Sequence, residues 1–217
     1  MRTIAVLNQK GGVGKTTIAV NLAAAAHLAG MRTLVLDLDR QGSAFDWYSA
    51  RTAGSKLEGL AVARADRALD LRKFRELSRG YDVVICDGPP RLGDVTRAAA
   101  VAADVVLVPL RAGATDWWAC AETAELLDSA DAIRAELKLP PVRRIFVLNA
   151  LPPRTRLIEQ ALEALAEAGA TVATTRLGNR VGYAQTMFSG ESVVSAEPGS
   201  ASAAEIADLY RCAMEAA

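Results

Sequence analysis

The apolar residues of this chain fall into short, nearly unbroken runs: Ile4–Leu7, Thr33–Leu36, Leu60–Arg64, Tyr81–Asp87, Asp104–Pro109, Ile145–Asn149 and Thr171–Thr175. A strand buried on both faces of a parallel sheet reads this way. Between the runs, start and stop residues and apolar spacing predict helices. These run from Ile18 to about Gly30, Ser43 to about Ala53, Ala68 to Arg79, Asp94 to Ala102, Asp116 to about Leu137, Thr155 to Ala168 and Ala201 to Ala216. Strands alternating with helices throughout predict an α/β fold, a mostly parallel twisted sheet covered by helices on both faces through right-handed crossovers. A length of 217 residues suits one such domain over 1–217. No internal repeat, linker or low-complexity tract interrupts it.

Chemistry concentrates at strand exits. After the first strand comes Lys10-Gly11-Gly12-Val13-Gly14-Lys15-Thr16-Thr17, followed directly by the first helix. The glycines at 11, 12 and 14 permit backbone conformations closed to other residues, so successive N–H groups can turn inward around phosphate oxygens at a helix N-terminus. In this phosphate-loop pattern Lys15 reaches the β- and γ-phosphates and the Thr16 hydroxyl holds Mg²⁺, which makes the chain a P-loop NTPase. The second strand ends in Asp37-Leu38-Asp39, two carboxylates at the sheet end where open α/β sheets bind ligands. The run Tyr81–Cys86 ends in Asp87. An acidic residue there holds the metal, directly or through water, and Gly88-Pro89-Pro90 sets a stiff turn near the γ-phosphate.

Composition narrows the alternatives. Lysine plus arginine balance aspartate plus glutamate, 25 against 25, so no global charge argues for nucleic acid, although a local patch would vanish in the sum. Arginine outnumbers lysine 20 to 5, yet two of the five lysines stand in the opening loop. The basic helix at 68–79 reads as a solvated face, with a nucleic-acid surface as the alternative. Cys86, Cys120 and Cys212 are far apart and read as reduced thiols of a cytoplasmic protein. His27 has no second ligand at helical spacing and reads as a packed or surface side chain. Trp47 and Tyr48 are adjacent on one helix and cannot both face inward, and at least one of Trp117 and Trp118 should be buried. No apolar run approaches a bilayer span, and the chain opens on a strand without a signal peptide.

With these pieces in order, the whole chain resembles the ParA/MinD family of deviant Walker-A ATPases, and within it the short, ParF-like partition ATPases. The most specific element is Lys10, a second lysine that an ordinary phosphate loop does not require. In the family this lysine crosses to the γ-phosphate of the other subunit, which implies a homodimer formed with ATP. The resemblance extends to Asp37–Ser43, whose Asp39 would orient the attacking water, and to Asp87-Gly88-Pro89-Pro90, the Walker-B switch. It includes Thr115–Ala119, and Asn149 at a position that reads adenine in relatives. Arg180-Val181-Gly182-Tyr183 resembles the R-x-x-Y before the final helices. Arg40 and Gly88 depart from the family's usual Pro and Thr. The loop Pro198–Ser202 is uncharged where relatives often carry DNA-holding arginines, so that role falls to Arg154, Arg156 and Arg180.

The resemblance implies a cytoplasmic, nucleoid-associated ATPase with ATP and Mg²⁺ as cofactors. Catalytic work falls to Lys10, Lys15 and Asp39, nucleotide binding to Gly11–Thr17 and Asn149, and the metal to Thr16 and Asp87. Hydrolysis would be slow and stimulated by a ParB-like adaptor, and the ATP-bound dimer would bind DNA non-specifically to segregate a plasmid or chromosome. The chain begins at its first strand, so no operator-binding helix-turn-helix is expected. Alternatives within the fold are positioning of a carboxysome, chemotaxis cluster or secretion machine, a MinD-like membrane regulator, and a ligase or metal-centre maturation factor. The C-terminal helix carries three acids and one arginine over 203–215, which disfavours a lipid surface. For maturation, paired cysteines are lacking.

Overall fold

The computed structural model describes residues 1–65, 70–91, 93–111, 114–151 and 156–215, those at 114–119 and 157 without their side chains. Its strands are β1 (Arg2–Val6), β2 (Thr33–Asp37), β3 (Ala61–Arg64), β4 (Val83–Asp87), β5 (Val105–Leu110) and β6 (Arg143–Leu148). They form one six-stranded sheet in the order β3-β2-β4-β1-β5-β6, every named pair parallel. β1 is therefore interior, with β4 and β5 on either side.

Strand alternation divides the core into two layers. Ile4 and Val6 of β1 face one cluster with α1 (Lys15–Leu28), α8 (Val193–Ala196) and α9 (Ala201–Glu215). Ala5 and Leu7 face the other, with α3 (Leu71–Leu77), α4 (Asp94–Ala102), α5 (Ala114–Glu136) and α6 (Arg156–Glu167). α1 buries nine of its fourteen residues, because it lies between the sheet and α8–α9, and its alanines allow that close approach. Arg134 ties α5 to the start of β5. It is 5% exposed and donates to the carbonyls of Val101, Ala103 and Pro140, each at 2.7 Å.

Several expectations shift. Thr171–Thr175 is not a strand: it makes one parallel bridge, Val172 to Phe146, and next meets the sheet when the Leu177 N–H donates to Leu148 O at 2.9 Å. Within the run Ala173 alone is buried, and the single bridge at the sheet edge gives it no continuous ladder. α3 starts at Leu71 because Asp70 caps it, accepting from Lys73 N at 2.7 Å; residues 66–69 lie outside those described. α2 (Ser43–Ser49) ends early, where Arg51 leaves to bind Leu57 O at 2.6 Å. Two short helices are additional to the expected set, α7 (Val181–Phe188) and α8. Trp47 is buried and Tyr48 is 40% exposed, as adjacency required. The side chains of Trp117 and Trp118 lie outside the described part. Cys86 and Cys120 are buried, Cys212 partly, and all three are free thiols.

Candidate nucleotide site

β1 ends at Val6, and its register with β4 sets Val6 opposite Asp87. The loop that follows is therefore built one strand away from the buried aspartate. Asn8 holds its start, donating Nδ2 to Pro109 O at 2.8 Å and accepting from Lys10 N at 2.9 Å. Gly12 and Gly14 have φ of 74° and 93°, the left-handed region that glycine enters without a Cβ clash. α1 begins at Lys15 with Gly14 as its cap, so the N–H groups of its first turn have no partner within the helix. The Lys15 ammonium returns to the Lys10 carbonyl at 2.8 Å, closing a ring around the loop.

A cavity of about 510 Å³ opens over this loop, and Gly11, Gly12, Gly14, Lys15, Thr16 and Thr17 line it. Asp39 and Asn149 line it as well. Val13 is buried beneath, 1% exposed, and Asp87 is completely buried. The two carboxylates of the β2 exit separate in role. β2 stops at Asp37, which accepts from Asp39 N at 3.1 Å and Phe45 N at 2.9 Å and so shapes the turn. Asp39 alone faces the cavity. Asn149 donates Nδ2 to Val13 O at 2.7 Å, so the amide nitrogen expected at adenine is turned onto the loop.

Burial dominates the electrostatics. It pushes the Asp87 pKa up to about 8, with the Thr16 hydroxyl and Lys15 pulling the other way and Asp37 and Asp39 adding to the rise. Neither Asp87 oxygen meets a donor in hydrogen-bond geometry, although the Thr16 hydroxyl is near enough to favour its charged form. Burial likewise raises Asp37 against its backbone donors and lowers Lys15, which Asp87 and Asp39 partly offset. A buried carboxylate without a donor, one strand from a hydroxyl at a helix start, is a donor set that fits Mg²⁺. That ion characteristically takes a few protein oxygens and completes its shell with phosphate and water. The site thus fits ATP and Mg²⁺.

The proposed DNA arginines are dispersed. Arg156 is exposed at the start of α6, and Arg154 lies outside the described residues. Arg180 lines the nucleotide cavity and is paired with Glu205 through Nε at 2.9 Å and Nη2 at 2.6 Å. Glu205 also accepts from Tyr183 Oη at 3.1 Å and Gly178 N at 3.2 Å, fastening α9 to the cavity wall. Neither Glu205 nor Asn8 is marked by any local motif; only a folded chain brings them to the loop.

A glycine loop between an interior parallel strand and a helix, beside an aspartate at the tip of the next strand, defines a phosphate-loop nucleotide-binding protein. The chain belongs to the CobQ/CobB/MinD/ParA nucleotide-binding domain family, whose model matches residues 4–193. Among curated relatives, the chromosome-partitioning ATPase Soj of Thermus thermophilus is 34% identical over 92% of this chain and 90% of its own. The maintenance of carboxysome distribution protein A of Halothiobacillus neapolitanus is 29% identical over 88% of this chain and 86% of its own. Of solved structures, apo McdA from Cyanothece superposes with a TM-score of 0.75 at 17% identity, covering 100% of this chain and 99% of that one. Among the described residues no helix is long and apolar enough to cross a membrane.

Proposed function

We propose that this chain is an ATP-hydrolysing positioning switch that dimerises around ATP, binds DNA without sequence preference in that state, and segregates a plasmid or chromosome with a ParB-like adaptor. The observation that carries the reading is Lys10, a second lysine built into the phosphate loop. Its backbone is gripped by Asn8 on one side and by the Lys15 ammonium on the other, which fixes where its side chain leaves the loop. In this reading the loop N–H groups and Lys15 hold the β- and γ-phosphates, and Thr16 and Asp87 hold Mg²⁺. Asp39 orients the attacking water, and Lys10 reaches the partner's γ-phosphate. Bound Mg²⁺ supplies charge neutralisation at the phosphates. Loss of the γ-phosphate removes the contact that Lys10 makes only in the ATP state, and the dimer separates. Arg154 and Arg156 are the candidates for DNA phosphate contacts; Arg180 would first have to leave Glu205.

A second reading keeps the switch and changes the cargo to a protein assembly. The match to a carboxysome distribution protein over 88% of this chain favours it. Binding to a DNA fragment of arbitrary sequence, with ATP, ADP or no nucleotide over a salt series, tests the switch that both readings share. Wild type should bind only with ATP, with a log–log salt slope of about −4 for two arginines per copy, and Lys10→Ala should abolish it. Stimulation of hydrolysis by a DNA-bound adaptor selects the first reading, and an ATP dimer that ignores DNA overturns the DNA binding that both readings share. Nucleotide-independent DNA binding, or a monomer with ATP when turnover is blocked, overturns both.

A further inference from the structure

Val13 is the loop residue that faces away from the cavity, and Asn149 stands over its carbonyl. Asn149 follows β6, two strands from β1. Its own N–H is held by Leu110 O at 2.8 Å, and the side chain is only 9% exposed. Ala150, next in the chain, adopts φ 51°, a left-handed conformation that strains an L-residue. The chain thus tolerates strain where Asn149 is aimed. At the other end of the contact, a Cβ on Gly14 would lie 2.2 Å from Asn149 Nδ2. Gly14 is therefore glycine for two reasons, its φ of 93° and the amide pressed against it.

A trans peptide unit is planar, with C=O and N–H pointing in opposite directions. Fixing the Val13 carbonyl on Asn149 consequently turns the Gly14 N–H the other way, and Gly14 lines the cavity. We infer that Asn149 is a positioning residue for the phosphate cradle: it commits one of its amide N–H donors to Val13 and so presets the Val13–Gly14 peptide, with the Gly14 N–H turned to meet a phosphate oxygen, and it acts on affinity through the loop. The inference rests on the reading of this cavity as an ATP site. Orientation set before the ligand arrives need not be bought from binding energy.

The test uses the full chain with Asn149→Asp, which keeps size and the acceptor but removes the N–H donor, and with Asn149→Ala in case the buried carboxylate prevents folding. Equilibrium binding of ATP, GTP and inorganic tripolyphosphate is measured by calorimetry, alongside melting of the nucleotide-free proteins. Both variants should weaken all three ligands by a common factor, roughly ten-fold, the scale of a buried carbonyl left unpaired. The ATP-to-GTP ratio should stay at its wild-type value. A collapse of that ratio with tripolyphosphate binding intact would place Asn149 on the base and overturn the inference, as would unchanged affinity for all three. If wild type binds neither ATP nor tripolyphosphate, the nucleotide reading itself fails, and the inference with it.

Discussion

Asp87→Asn offers a sharp test of the metal site, because its effect on stability and its effect on the metal have opposite signs. The native carboxyl has a pKa of about 8 where 3.8 is ordinary. Between those values the unfolded chain has released the proton and the native chain keeps it, so native stability falls as pH rises, by ~1.4 kcal/mol per pH unit. Across about four units the ceiling is roughly 6 kcal/mol; relaxation and water entry bring the realised loss to about 2–4 kcal/mol. Asparagine has the same shape and no proton to lose. In chelator without nucleotide, the variant should therefore outlast wild type, by on the order of 5–10 °C in Tm at pH 8. The gap should shrink steadily towards pH 5 and stop growing above pH 8. Adding Mg²⁺ with ADP should reverse the order, since the ion stabilises only the chain that offers it a carboxylate. A gap independent of pH, or a variant less stable than wild type at pH 8 in chelator, would refute the reasoning.

Two further substitutions probe packing near and far from the site. At Gly88 an added Cβ would lie 2.6 Å from Leu7 Cδ2 and 2.9 Å from the Val6 carbonyl, and backbone cannot step aside. Gly88→Ala should cost about 1–3 kcal/mol and Gly88→Thr more, read by urea unfolding; a Thr variant as stable as wild type would show that β1 yields. Arg134→Met should lose about 3 kcal/mol by leaving the two buried carbonyls of Val101 and Ala103 unpaired, with ATP affinity of the folded protein unchanged. Calorimetry that showed weakened ATP binding would mean that α5 communicates with the loop.

The sheet and the phosphate loop were legible in the sequence because each rests on a local pattern. Ile4–Leu7 and Val83–Cys86 are apolar without interruption, which only a strand covered on both faces requires. Lys10 to Thr17 carries its geometry in three glycines. Legibility fails where the determinant lies far along the chain. The turn at Asp37 reads as half of a carboxylate pair, and only the fold shows it consumed by the N–H groups of Asp39 and Phe45. Asn149 reads as a base contact, and no local pattern announces that its amide also donates to Val13 O. Helices α7 and α8 hold eight and four residues, too few turns for a helical period to emerge. Thr171–Thr175 has strand-forming residues but no continuous partner.

The pairing of Val6 with Asp87 has a consequence for how such a protein can change. Val6, which leads into the glycine loop, and Asp87 stand one rung of a hydrogen-bonded ladder apart, about 4.8 Å between strands, and no side chain sets that spacing. Remodelling along the outer strand β3, or on the face of α6, leaves that rung untouched. The outer surfaces are free to drift while the loop and the buried carboxylate at the centre keep their measure.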